Sequence, residues 1–489
     1  MPVPARGSSW RAPGIESLFV ATFALFGLRL GLRRLGDNSL FVHLRTGIDM
    51  LRSGSIPRVD PYSFTAVGHP WVVQSWLPEA SYGVVYRLGG FGAVRLEHGL
   101  LYGLLAWLMA RQARTSSPAR GALAAALAIG VGAVYWSPRP LAFGLVAFAV
   151  MVTVVEERRN PWLLVPVVWL WVNSHGSFPL GLGWLVLVGV GRWADGRRRG
   201  EAGVPPPAVL PWLGAFLAGL AASAINPLGP RLLAFPLTVL DKREAFGHVV
   251  EWRPLDVGEA TAVVTLVFLA GAVTVVLRGR RQLGWSDLLP VAALAVMGLV
   301  AQRNLPVVAV ALAPVLGRAL GATGDAPAEA GPAPAPAPGS RPLNVALAGT
   351  LGALALLFTA GALREPPLAL KDYPVRALRL AADEGPLRRL VTDDVSAGYV
   401  ILVHGTRAGV FIDDRVDLYP VELTLEYLQL SEGGPGSLDI LERHRAEVVV
   451  WEAKQALARR LADSPIWRRA GTRDGWDVFV RPESPAPPR

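Results

Sequence analysis

Residues 36–78 and the position just beyond hold Asp37, His43, Arg45, Asp49, Asp60, His69, Gln74, Trp76 and Glu79 within one stretch of chain. Carboxylates and imidazoles move protons or ligate metals, and guanidinium groups bind phosphate through paired charged hydrogen bonds. Elsewhere polar residues interrupt apolar sequence in ones and twos: Arg139, the run Asn173-Ser174-His175-Gly176, Asn226-Pro227, Glu251-Trp252 and Arg303-Asn304. Asp413 and Arg415 stand at the end of a strand-like run far down the chain. Each has a plain structural reading beside the chemical one. Asp37 and Arg45 suit a solvated pair, Asn173 and His175 suit helix caps, Arg139 and Arg303 suit snorkelling to headgroups, and Asp413 with Arg415 suits a local ion pair. With 7 His and no Cys, disulfides and thiolate metal sites are excluded and no spacing marks a dedicated zinc site. The cofactor is therefore unknown, and a divalent metal is possible.

The elements that position these groups are membrane helices. The chain has 489 residues, 52% hydrophobic and 18% charged, with a mean hydropathy of +0.37, too apolar for an ordinary soluble protein. Its apolar blocks run to roughly 14 to 21 residues, against about 20 needed to cross a bilayer. Transmembrane helices are expected at residues 15–35, 91–110, 121–137, 140–155, 161–176, 178–193, 208–225, 260–277, 286–301, 304–320 and 343–363. Arg6 and Arg11 precede the first block, but Leu32-Arg33-Arg34-Leu35 follows it in place of a small-residue cleavage site, so it reads as an uncleaved helix.

With a cytoplasmic N-terminus, the inward turns contain Arg111, Arg114 and Arg120, then Arg158 and Arg159, then Arg192 and Arg197 to Arg199, then Arg278, Arg280 and Arg281. This is the positive-inside pattern, and it accounts for the net charge of +10 without nucleic acid as a partner. Arg29, Arg33 and Arg34 at the outer end of the first helix are the misfit.

The expected architecture is a polytopic α-helical membrane protein of about eleven transmembrane helices with a small C-terminal α/β domain outside the cytoplasm. Residues 1–320 form the helical domain with its long first outer loop, 36–78; residues 321–342 form a Pro/Ala-rich cytoplasmic linker; 343–363 is the last transmembrane helix; and 364–489 the extracytoplasmic domain. In this topology Arg139, Asn173 to His175, Glu251 and Arg303 all fall at outward turns. The arms flanking Asn173 to His175 are shorter than a full crossing, which sinks that turn below the membrane surface, where polar groups are functional by default.

Three groups of residues then carry a resemblance. Asp37-Asn-Ser-Leu-Phe-Val-His43-Leu-Arg-Thr-Gly47, followed by Gly54-Ser-Ile-Pro57-Arg-Val-Asp60-Pro-Tyr-Ser63 and Trp71 to Glu79, resembles the first outer loop of bacterial membrane proteins related to the GT-C glycosyltransferases, including oligosaccharyltransferase catalytic subunits. Trp171-Val-Asn173-Ser-His175, Asn226-Pro-Leu-Gly229, Glu251-Trp252, Arg303-Asn304 and Phe411-Ile-Asp413-Asp-Arg415 extend it over most of the chain.

The resemblance implies a glycosyltransferase of the bacterial cytoplasmic (inner) membrane that takes a sugar from a polyprenyl-phosphate donor to a glycan, lipid or protein acceptor at the outer face. Asp37 would then be the base, with Asp60 and Glu79 as alternative acids, while Arg45, Arg139 or Arg303 meets the lipid phosphate. His43 and His175 would supply hydrogen bonds or a metal ligand, and Asn173, Glu251, Asp413 and Arg415 would complete the binding surface. Two other functions fit the same features: a transporter or flippase of lipid-linked sugars, and a non-catalytic membrane protein that binds glycan or lipid. No internal repeat is present and the polar groups gather on one face, which favours the enzyme over the transporter.

Overall fold

The computed structural model describes residues 13–200, 209–247, 249–321 and 340–482. Fourteen helices build the first part: α1 Ile15–Gly31, α2 Asn38–Ser53, α3 Trp76–Gln112, α4 Pro118–Gly132, α5 Leu141–Glu156, α6 Leu164–Val172, α7 Phe178–Arg198, α8 Leu210–Ala222, α9 Arg231–Asp241, α10 Arg243–Phe246, α11 Ala260–Arg278, α12 Trp285–Val300, α13 Leu305–Gly321 and α14 Ser340–Arg364. The tail follows as α15 Val375–Glu384, β1 Leu390–Val391, α16 Asp394–His404, α17 Val421–Glu432, α18 Ser437–Arg443, β2 Val448–Glu452, α19 Ala456–Ala462, β3 Arg468–Arg473 and β4 Trp476–Val480. Its sheet has the order β1-β2-β4-β3, with β1 parallel to β2 and the other pairs antiparallel.

This is a multi-pass membrane protein. Among the described residues, four helical stretches are long and apolar enough to cross a bilayer: Pro118–Tyr135, Ala260–Arg278, Gln302–Gly321 and Pro342–Arg364. Leu356 and Leu357 on α14 and Val267 and Leu277 on α11 stand largely exposed, a surface that suits lipid and not water. α13 is instead buried along nearly its whole length, packing against α4, α12, α11 and α5 as the centre of the bundle. The turn at 173–177 joins the 9-residue α6 to α7, which at 21 residues is longer than the expected short arm, and Asn173 and Ser174 within it are buried.

Several expected boundaries shift. Each of the eleven expected spans contains a helix, but the second begins much earlier, at Trp76. α3 runs to Leu88, breaks at Gly89 and Gly90, and resumes as the expected span. Gly90 has φ +60 and ψ −153, a conformation that needs glycine. Within the expected linker, residues 340–342 belong to α14, while 322–339 lie outside the described residues. One of the misfit arginines, Arg34, has a local reason. Arg34 Nε donates to the Pro366 carbonyl at 2.9 Å, and Leu35 pairs with Leu368, so the end of α1 clamps the chain leaving α14.

The 36–78 loop holds α2, whose fit on α3 leaves no room for a side chain at Gly47 or Gly83. A Cβ on Gly47 would lie 1.8 Å from the Glu79 carbonyl oxygen, and one on Gly83 would lie 2.5 Å from the Gly47 carbonyl. His43 sits one turn before Gly47 on the same helix face, so this contact sets His43 against Glu79. Gly47→Val is expected to cost about 1–3 kcal/mol or more through overpacking and to lower the thermal midpoint of the purified protein. An unchanged midpoint would mean that the two helices can part without loss.

Candidate active site

Asp37 connects α1 to α2. Its extended backbone makes it the N-cap of α2, and its Oδ1 accepts from the Leu40 amide at 3.2 Å. From the turn before α5, Arg139 Nε donates to both oxygens of the same carboxylate, at 2.9 and 2.7 Å. Arg139 Nη1 turns the other way and pairs with Glu251. Next to Glu251, Trp252 supports the Arg303 guanidinium, 4.1 Å from its ring centroid. A row thus forms from Asp37 through Arg139 and Glu251 to Arg303, built from four separate turns. The side chains of Asp37, Arg139 and Glu251 are 12%, 25% and 44% exposed, so an incoming anion can reach the guanidinium.

His43 flanks this row. Its Nδ1 lies 2.6 Å from Glu79 Oε1, and the second Glu79 oxygen is buried without a hydrogen-bond partner among the described residues. Burial disfavours a charged His43, but the hydrogen bond and charge of Glu79 outweigh it and raise the ring's pKa. Burial likewise raises the Glu79 carboxyl against the pull of His43. Both shifts keep a proton within the pair. His175 lies within electrostatic reach of His43 and Arg303, and its Nδ1 accepts from the Ser177 amide at 3.2 Å.

Asp60, Asp413 and Arg415 form a different group. Arg415 donates to Asp60 at 2.8 Å and to the two oxygens of Asp413 at 2.8 and 2.6 Å, while Tyr419 donates to Asp413 at 2.7 Å. The guanidinium lies over Trp71 and Tyr62 at 4.5 and 5.2 Å. All three charged groups are buried, and Asp60 also accepts from the amides of Tyr62 and Ser63. The group fastens the tail to the first outer loop and is closed to ligand.

Arg45 stands apart from Asp37. It pairs with Asp49 at 2.8 Å and with the Leu402 carbonyl on α16, lining a separate cleft of about 830 Å³ with Arg52, Tyr86, Phe91 and Tyr399. Asn173 caps a helix end, accepting from Trp76 Nε1 at 2.9 Å and donating to the Trp169 carbonyl at 2.8 Å.

Two functional candidates escaped the sequence reading. Asp414 sits within electrostatic reach of Asp37, His43 and Arg139. Burial, then the neighbouring Asp413 charge, push its carboxyl up to about 7 against the pull of Arg139 and His43. Its neighbours Asp413 and Arg415 drew attention as an ion pair, and only the folded turn shows Asp414 directed elsewhere. Lys242, just after α9, donates to the carbonyls of Asp417 and Tyr419, the latter at 2.8 Å. Nothing in its local sequence marks it. Among the described residues no group of three His, Asp or Glu side chains converges as a metal-ligand set.

No protein-family model matches the chain, and no curated protein sequence does. Solved structures do. The archaeal oligosaccharyltransferase AglB from Archaeoglobus fulgidus, in complex with an inhibitory peptide and a dolichol-phosphate, superposes with a TM-score of 0.53 at 11% identity, over 92% of this chain and 70% of AglB. ArnT from Cupriavidus metallidurans, bound to undecaprenyl phosphate, superposes with a TM-score of 0.50 at 16% identity, over 97% of this chain and 99% of ArnT. The chain therefore has the membrane fold of the GT-C glycosyltransferases, the one its outer-loop residues resemble.

Proposed function

We propose that this protein transfers a sugar from a polyprenyl-phosphate donor to an acceptor at the outer face of the bacterial cytoplasmic membrane. The observation that carries the reading is the reachable guanidinium of Arg139, held by Asp37 and Glu251 at the outer helix ends, in a fold whose solved neighbours hold polyprenyl phosphates. Arg139 and Arg303 would receive the phosphate, since guanidinium meets its oxygens in paired charged hydrogen bonds. Asp37 would fix the angle at which Arg139 is presented, and the His43–Glu79 pair would order the wall beside it. Sugar leaves as the charge on phosphate grows, which is the change a prealigned cation stabilises most.

Two measurements test the reading without knowledge of the sugar. Undecaprenyl phosphate at about 100 times its Kd should stabilise the purified protein by about 2.7 kcal/mol, seen as a raised thermal midpoint. Arg139→Gln should abolish that shift. Equal stabilisation of wild type and variant would place the lipid phosphate elsewhere. The orientation, with a cytoplasmic N-terminus and an outer tail, follows from the arginines of the inward turns. Reporter fusions after Arg199 and Arg481 should report inside and outside, and a cytoplasmic reporter active after Arg481 would overturn it.

A further inference from the structure

The tail contributes a carboxylate that no other residue occupies. Val410 N donates to the Tyr62 carbonyl at 3.1 Å, Phe64 N to the Val410 carbonyl at 3.0 Å and Phe411 N to the Leu390 carbonyl at 2.9 Å, so residues 410–411 lie between the first outer loop and β1. A few residues on, Arg415 is locked to Asp60 and Asp413, and Lys242 holds the Tyr419 carbonyl. Asp414 lies between these anchors, fixed by both sides of the loop that carries it. The acids around it are engaged: Asp37 and Glu251 by Arg139, Glu79 by His43, Asp413 and Asp60 by Arg415. Among the described residues, no hydrogen bond or ion pair uses the Asp414 carboxylate. The charged and titratable groups around it are Arg139 and His43, which favour its ionised form, Asp37 and Asp413, which oppose it, and the Tyr373 phenol.

Building on the glycosyl-transfer reading, we propose that Asp414 is the catalytic base of the site, accepting the proton of an acceptor hydroxyl, while Asp37 serves to hold Arg139. In the transfer step the acceptor oxygen forms a bond to the anomeric carbon and the bond from that carbon to the phosphate oxygen breaks. The electron pair of the broken bond leaves on the polyprenyl phosphate, opposite Arg139. The hydroxyl proton passes to Asp414 and from there to water. Both Asp37 oxygens are committed to Arg139 Nε, whereas the half-buried Asp414 carboxylate has no partner among the described residues and its pKa is raised, which suits it to accept a proton. The acceptor consequently enters between the tail and the first outer loop, and the site is incomplete without the tail.

The test uses the full-length protein in liposomes with a polyprenyl-phosphate sugar donor and a hydroxyl acceptor. Wild-type transfer should rise about tenfold per pH unit below about pH 7 and level off above it, as the base loses its proton. Asp414→Asn should lower transfer about 10²-fold and remove that rise, while Asp414→Glu keeps it at a reduced rate. Asp37→Asn, also impaired, should keep it. Wild-type rate and pH profile in Asp414→Asn would overturn the proposal, as would loss of the rise in Asp37→Asn with its survival in Asp414→Asn.

An infrared pH titration separates this proposal from the reading beneath it, because it needs no substrate. Because the Glu79 carboxyl is raised as well, the assignment rests on the difference between wild type and Asp414→Asn, which should isolate a protonated-carboxyl band that fades as pH rises through about 7. Identical bands in wild type and Asp414→Asn would refute the assignment. If the band behaves as expected but no donor supports transfer, the glycosyl-transfer reading fails and takes the catalytic role with it, while Asp414 stands as the proton-binding group.

Discussion

Asp37→Asn is expected to lower sugar transfer by about 10²-fold or more while leaving expression and membrane insertion unchanged. The separation of the two effects follows from the double duty of Asp37. As N-cap of α2 it accepts from the Leu40 amide, and asparagine performs that duty about as well as aspartate. As partner of Arg139 it supplies a charge that asparagine lacks, so the guanidinium swings toward Glu251, its remaining carboxylate. Removing one preorganised charge contact from a site that stabilises a leaving phosphate costs about 10²–10³ in rate. Asp37→Ala should show the same loss of transfer plus about 1 kcal/mol of stability, because the cap goes with the charge. Transfer at the wild-type rate in Asp37→Asn would leave Asp37 as a helix cap with an incidental ion pair.

Arg415→Met should cost about 3–5 kcal/mol and loosen the tail from the first outer loop. The arginine is the only countercharge in contact with the buried carboxylates of Asp60 and Asp413 among the described residues, and its removal leaves both facing a low-dielectric interior. Methionine keeps much of the bulk over Trp71 and Tyr62, so the loss measures charge more than packing. Limited proteolysis should cut residues 405–420 faster in the variant, and the thermal midpoint should fall. Adding Asp60→Asn and Asp413→Asn to Arg415→Met should recover much of the loss, since neutral side chains tolerate burial better than unpaired charges. A single variant as stable as wild type would show that the tail is held by its apolar contacts alone.

The helical part of this architecture was legible because apolar blocks near bilayer length report themselves directly. All eleven expected segments contain helix, and α11 and α14 match within a few residues. The start of α3 was not legible: the expected loop ended at residue 78 and the next span began at 91, while the helix already starts at Trp76 and breaks at Gly89 and Gly90. Candidate site residues were legible as polar types at turns between apolar segments, which is how Asp37, Arg139, Glu251 and Arg303 were singled out without any motif joining them. Their pairing was not legible. Asp37 and Arg45 share the first loop, yet Arg45 meets Asp49 on the same helix and Asp37 meets an arginine over 100 positions away. Spacing of four residues predicts the first contact, and only the packing of α1, α3 and α5 produces the second. Asp414 was obscured for the same reason: within Asp413-Asp414-Arg415, sequence cannot tell which acid takes the arginine.

The central claim is that the outer helix ends break the bond between a sugar and a polyprenyl phosphate. Purified protein in sealed liposomes, supplied with radiolabelled polyprenyl-phosphate sugars and candidate acceptors, tests it directly. The account predicts release of free polyprenyl phosphate in equal amount to sugar joined to acceptor, abolished by Arg139→Gln. Movement of the intact sugar lipid from one leaflet to the other, with the sugar–phosphate bond unbroken for every donor tried, would contradict it and identify the protein as a carrier of lipid-linked sugars.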